Sequence, residues 1–182
     1  MKFLYNQVKA VQAAAYMVRL HGGHMDVLVL IKLLYLADRK ALIDSGYPIT
    51  GDSMVSMPHG PVLCGIYDSI KWNDSPWCDY ITERSHDEVS LRIQEPDTGE
   101  LSDYEAKVLE TIHEHYGHMG PWDLRRLTHE LPEYEDPHGS SYPIEPADIL
   151  RHAGKSDHEI EILTREAEEF RTVGRLLRTP SA

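Results

Sequence analysis

The stretch Asp26 to Ser45, DVLVLIKLLYLADRKALIDS, decides the fold. From Val27 to Ala37 it is apolar nearly all round, with Lys32 its only charge. A helix without a polar face has no side to turn to water, so this segment reads as a central helix packed on several sides. Gly46 ends it, because glycine readily takes the left-handed conformation that follows a helix, and Pro48 prevents its return. The apolar run falls well short of the ~20 residues that cross a bilayer. The opening MKFLYN lacks the apolar core and small-residue cleavage site of a secretion signal. A cytoplasmic protein without a membrane segment is expected.

On the N-terminal side, Leu4, Val8, Val11, Ala15 and Val18 recur at steps of three and four, the signature of an amphipathic helix that His21-Gly22-Gly23 closes. On the C-terminal side, Ile49 to Ser53 reads as a turn, Met54 to Met57 as a short extended stretch, and Pro58 to Pro61 as a second break. Pro61 suits the first turn of a third helix reaching Ile70 or Lys71. The segments 79–83 and 88–94 read as a β-hairpin, followed by a turn at Pro96–Gly99. Ser102 with Glu105 and Ser156 with Glu159 are capping boxes, each opening a helix. Pro121 opens another helix to about Leu131, and a short one runs from Pro146 to His152. In the last helix Ile160, Leu163, Ala167, Phe170, Gly174 and Leu177 form the apolar stripe, with Arg171, Arg175 and Arg178 at its end matching the helix dipole. Residues 132–146 read as an irregular acidic loop and 179–182 as a frayed end. The fold expected is mainly α (α+β), a compact helical domain with a central apolar helix and a small β-hairpin. With 182 residues, 41% of them hydrophobic, one domain over 1–182 accounts for the chain.

The formal net charge is -12. Residues 1–50 hold six Lys/Arg against three Asp, +3, so the remainder carries -15. Such a chain repels phosphates and anionic membranes on average and favours basic partners. Cys64 and Cys78 form no CxxC and read as free thiols of a reducing cytosol. The histidines at 113, 115 and 118 do not converge, because helical positions two apart diverge, so no metal site and no cofactor are expected. Nucleophile and phosphate-loop motifs are absent, which argues against an enzyme.

Two constellations point to binding. Tyr104 to Leu131 reads as helix, glycine turn, helix, with Trp122, Arg125 and Arg126 facing outward and the preceding hairpin as a wing: a helix-turn-helix DNA-binding regulator is the alternative function. Against it, six acids (Asp103, Glu105, Glu110, Glu114, Asp123, Glu130) outnumber Lys107, Arg125 and Arg126 in that unit, which makes it a poor phosphate binder and DNA an improbable partner. The second is Lys32, Tyr35, Asp38 and Arg39 at helical spacing, which read as an exposed polar ridge beside the Gly60-Pro61 turn, while Lys32 alone also reads as snorkelling or as paired with an acid at the edge of the core; the turns that hold Gly51, Asp52, His59, Gly60 and Pro61 are the expected working surface. Loops held by a rigid scaffold are favoured places for recognition.

The strings Lys32-Leu33-Leu34-Tyr35-Leu36-Ala37-Asp38, Ile49-Thr50-Gly51-Asp52, His59-Gly60-Pro61-Val62 with Tyr67, and Leu127-Thr128-His129-Glu130 occur in this order. Together they resemble the Panacea domain of SocA-like antitoxins over roughly residues 4 to 170. The resemblance implies a mostly helical fold with a small β element. It also implies neutralisation of a cognate protein toxin by direct binding in a bacterial or phage toxin–antitoxin pair, in some members as an adaptor to a ClpXP-type protease. It implies no catalytic residues. Lys32, Tyr35, Asp38, Arg39, Gly51, Asp52, His59, Gly60, Pro61 and Tyr67 are the expected partner-binding residues.

Overall fold

The computed structural model describes residues 1–85 and 87–178, with side chains to Gly174. The helices are α1 (Gln7–Leu20), α2 (Val27–Ser45), α3 (Cys64–Trp72), α4 (Trp77–Tyr80), α5 (Asp103–Tyr116), α6 (Pro121–His129), α7 (Pro146–His152) and α8 (Asp157–Arg178). The strands are β1 (His24–Asp26), β2 (Met54–Met57), β3 (Gly60–Leu63), β4 (Ile81–Ser85), β5 (Glu88–Leu91) and β6 (Tyr142–Ile144). The fold is α+β, with helices dominant and two small antiparallel sheets.

The helix ends follow local chemistry. Asp26 opens α2 by accepting the amides of Leu28 at 2.7 Å and Val29 at 3.1 Å. Both capping boxes form: Ser102 Oγ accepts the Glu105 amide while Glu105 accepts the Ser102 amide, and Ser156 and Glu159 do the same. Gly46 closes α2 at φ +84, and a Cβ there would lie 2.4 Å from Leu163 Cδ2, where α8 crosses. The core gathers on α2, from Val29 to Ala41, with α1, α5, α6 and α7 packed around it. The central helix expected from the sequence is therefore present.

Several expectations require correction. The β structure is more than one hairpin. The expected hairpin, β4 and β5, gains β1 in the order β1-β5-β4, and β3-β2-β6 forms a second sheet. Pro61 does not open a helix. It lies in β3 opposite Ser56, on the edge strand of its sheet, where a missing N–H costs no ladder bond. The segment 132–146 is not wholly irregular, because its end forms β6 against β2. Val8 and Phe170 were expected on apolar faces turned inward, yet they are 43% and 69% exposed. The expected frayed end at 179–182 and the side chains of Arg175, Leu177 and Arg178 lie outside the described residues.

The Gly46 contact yields a direct check. Gly46→Ala adds a methyl group that collides with Leu163 at a backbone angle alanine adopts poorly, so it should cost about 2 kcal/mol in chemical denaturation. Gly46→Ala combined with Leu163→Ala should recover part of that loss.

Candidate functional site

The polar groups of α2 point into the molecule, and each fastens a different loop. Lys32 is fully buried, and its Nζ donates to the Pro61 carbonyl at 2.8 Å. Burial, and then the nearby Arg125 guanidinium, pull its amine down to about 7. No carboxylate pairs with it among the described residues. Gly60 meets this amine closely: at φ +94, a Cβ would lie 2.9 Å from Thr128 Oγ1 and 3.0 Å from Lys32 Nζ. One helical turn on, the Tyr35 hydroxyl donates to Glu133 Oε1 at 2.9 Å. Arg39 grips the same carboxylate at 2.6 and 3.3 Å, a fork-on-carboxylate pair that holds the segment after α6. Burial first, then Glu133, raise the Tyr35 phenol well above its ordinary value.

Asp38 is wholly buried and accepts the Thr50 hydroxyl at 2.5 Å and the Thr50 amide at 3.1 Å, which pins the turn after α2. Asp52, also buried, accepts the amides of Gly65 and Ile66 at 3.0 and 3.1 Å. It thereby caps α3, whose own N-cap, Leu63, has no side chain able to do so. These residues are girders. Burial of Lys32, Tyr35 and Asp38 overturns the reading of an exposed ridge, and Lys32 lies inside the core rather than at its edge. The physical reason is that α2 is enclosed on every side from Val29 to Asp38, so polar groups there must find partners inside. Arg39 remains half-buried and is committed to Glu133.

At the tip of the β2–β3 hairpin the picture changes. Lys32, His59, Gly60, Val62 and Tyr67 line one cavity of about 340 Å³, together with apolar side chains of α2 and the hairpin. Pro61 supports it from behind by holding Lys32. His59 is exposed and lies edge-on to Trp122 at 6.1 Å, with Trp122 60% exposed and Tyr67 37% exposed. Gly51 and Asp52 lie apart from this mouth, beside the N-terminal segment. Sequence reasoning assigned Arg125 an outward direction. It instead turns inward, donating to the Pro58 carbonyl at 3.1 Å. Only Arg126 of that pair is exposed, and it is paired with Asp123. Glu133, missed in the sequence, is the carboxylate that pairs with Arg39 and accepts the Tyr35 hydroxyl. Tyr134 extends the same connection, with its hydroxyl on the Met57 carbonyl at 3.2 Å.

The site is a helical scaffold whose buried polar row locks a hairpin, and among the described residues no group of three or more His, Cys, Asp or Glu side chains could hold a metal ion. Residues 30–135, more than half of the chain, match the family described as antitoxin SocA-like, Panacea domain, and the chain belongs to that family. No curated protein and no solved structure matches it. No helix among the described residues is long and apolar enough to cross a membrane.

Asp38 makes the scaffold pH-sensitive. Burial raises its carboxyl from 3.8 to about 7, although the Thr50 hydrogen bonds oppose this. The folded chain therefore holds this proton more tightly than the unfolded chain does. Its favourable contribution is complete below about pH 4 and is lost as pH rises to about 7. Asp38→Asn should remove that fall. The stability difference, wild type minus variant, should decline by up to about 4 kcal/mol between pH 4 and 8 in denaturant titrations.

Proposed function

We propose that this chain neutralises a cognate protein toxin by direct binding, acting as one Panacea-like unit in the cytoplasm, and that the hairpin tip meets the toxin. Membership of an antitoxin family carries the reading, since the partner of an antitoxin is a toxin. The choice of surface is supported by three features of the tip. Its cavity has the size that receives an anchoring side chain. Its rim offers tyrosine, tryptophan and histidine, and the first two are enriched among residues that dominate binding energy. Its backbone is fixed by Lys32, Arg125 and Tyr134, so little order is lost on binding.

The net charge of -12 favours a basic toxin and quickens its encounter. It weighs against DNA, as does the inward turn of Arg125. Neutralisation of this kind needs no catalytic group. Occlusion of the toxin and its delivery to a ClpXP-type protease share the same first step, the complex itself.

The test is co-expression with the toxic product of the neighbouring gene. Tyr67→Ala and Trp122→Ala, both at exposed side chains, should leave stability within about 0.5 kcal/mol. Each should weaken co-purification and rescue by about tenfold or more. Full rescue by both variants would contradict this choice of surface, and a neighbouring product that never co-purifies would contradict the toxin reading.

A further inference from the structure

The hairpin-tip cavity collects basic groups inside an acidic molecule. Its lining holds Lys32, His59 and the hydroxyls of Tyr67 and Ser140, and no carboxylate. More basic groups stand behind its Gly60 wall. A Cβ on Gly60 would lie 3.0 Å from Lys32 Nζ and 3.2 Å from the His129 ring. Arg125 is close enough to lower the Lys32 amine, and Arg125, Lys32 and His59 all act on His129 in the same sense. Asp136 opposes them there with less weight than Arg125 or Lys32, and it also lies 3.7 Å from His138. None of Lys32, Arg125 and His129 forms a salt bridge among the described residues.

Hydrogen bonding is incomplete in the same place. An ammonium has three N–H groups, and Lys32 directs one of them to Pro61. Arg125 Nε and His129 Nε2 are buried without a partner. Buried cations that lack a counter-ion are costly, and an anion brought close would offset that cost. Lys32 is closed to solvent, so such an anion acts on it across the wall. Gly60 has no side chain to thicken that wall, and a low dielectric carries the attraction over several ångströms. The cavity, about 340 Å³, has room for one side chain, and Leu28, Ile31, Met57 and Val62 suit its methylenes. Free phosphate would lose hydration against those apolar walls.

We infer that this cavity receives a glutamate or aspartate side chain of the partner protein, its carboxylate bonded by His59, Tyr67 and Ser140 in the field of Lys32 and Arg125. The inference deepens the toxin reading and rests on it for the source of the acid. A basic toxin also carries acids: overall charge governs encounter, and this one buried group governs fit.

The test uses the isotope-labelled full chain and two end-blocked pentapeptides, each with leucine and alanine flanking a central glutamate or glutamine, read by nuclear magnetic resonance. The glutamate peptide should bind at the tip at least about tenfold more tightly than its glutamine twin. The net charge of -12 works against that preference, so bulk attraction cannot produce it. The Lys32 amine, at about 7 in the free chain, should titrate higher in the complex, because an anion favours the ammonium form. His59→Glu, with circular dichroism unchanged, should abolish the preference, and Arg125→Gln should reduce it about tenfold. Equal binding of the twins, absence of binding, a Lys32 titration that stays put, a preference that survives both variants, or displacement by equimolar inorganic phosphate would overturn the proposal. If the glutamate peptide binds as stated while the neighbouring gene product never co-purifies, the acid-binding cavity stands and the toxin reading alone falls.

Discussion

A buried amine bonded to a backbone carbonyl sets the terms for the rest of this molecule. Lys32 Nζ sits inside the core, 2.8 Å from the Pro61 oxygen, with no carboxylate to neutralise it among the described residues. Burying such a group is costly, and the cost is reduced only if the carbonyl stays where it is. The β2–β3 hairpin is therefore held in one position against α2. Gly60 must be glycine-like in backbone angle and in size for the two to approach. Asp38 and Tyr35, one to two turns along, impose the same discipline on the turn at Thr50 and on the connection at Glu133. One helix thus fixes three loops by three different chemistries.

This arrangement separates buried supports from the exposed side chains they carry. Most of the residues that give the chain its family likeness are internal, and they shape a surface that His59, Tyr67 and Trp122 occupy. α8 is joined to the scaffold differently. Ile160 and Ala167 are buried, Leu163 packs over Gly46, and Phe170 and Val173 are left open. The aromatic face thus rests on α2, and the apolar one on the way α8 packs.

Much of the fold was legible in the sequence. Asp26, Gly46, Ser102, Pro121 and Ser156 each act locally, so their helix ends could be read from neighbouring residues alone. The second sheet was not legible, because β3 contains Gly60 and Pro61, and β6 is three residues long with Pro143 at its centre. Tertiary pairing, which no local pattern reports, makes those segments strands. Orientation was the harder matter. A helix that is apolar all round carries no period to say which way Lys32 or Asp38 points. A ridge of polar residues on it reads equally well as surface or as internal wiring. Arg125 misled for the same reason, since its partner, the Pro58 carbonyl, is distant in sequence. Of the expected site, Lys32, His59, Gly60 and Tyr67 were brought to one cavity, while the others became its supports or lie elsewhere.

The claim on which this rests is that Lys32 is inside and holds the hairpin. Nuclear magnetic resonance of lysine side chains, with Lys32→Met to assign its signal, measures it directly. The account requires one amine titrating near 7, as burial beside Arg125 dictates, and a hairpin that loosens in the variant, with faster amide exchange at Val62 and Leu63. If every lysine instead titrates near the ordinary 10.5, with the hairpin amides unchanged in Lys32→Met, the beam is not what holds this fold.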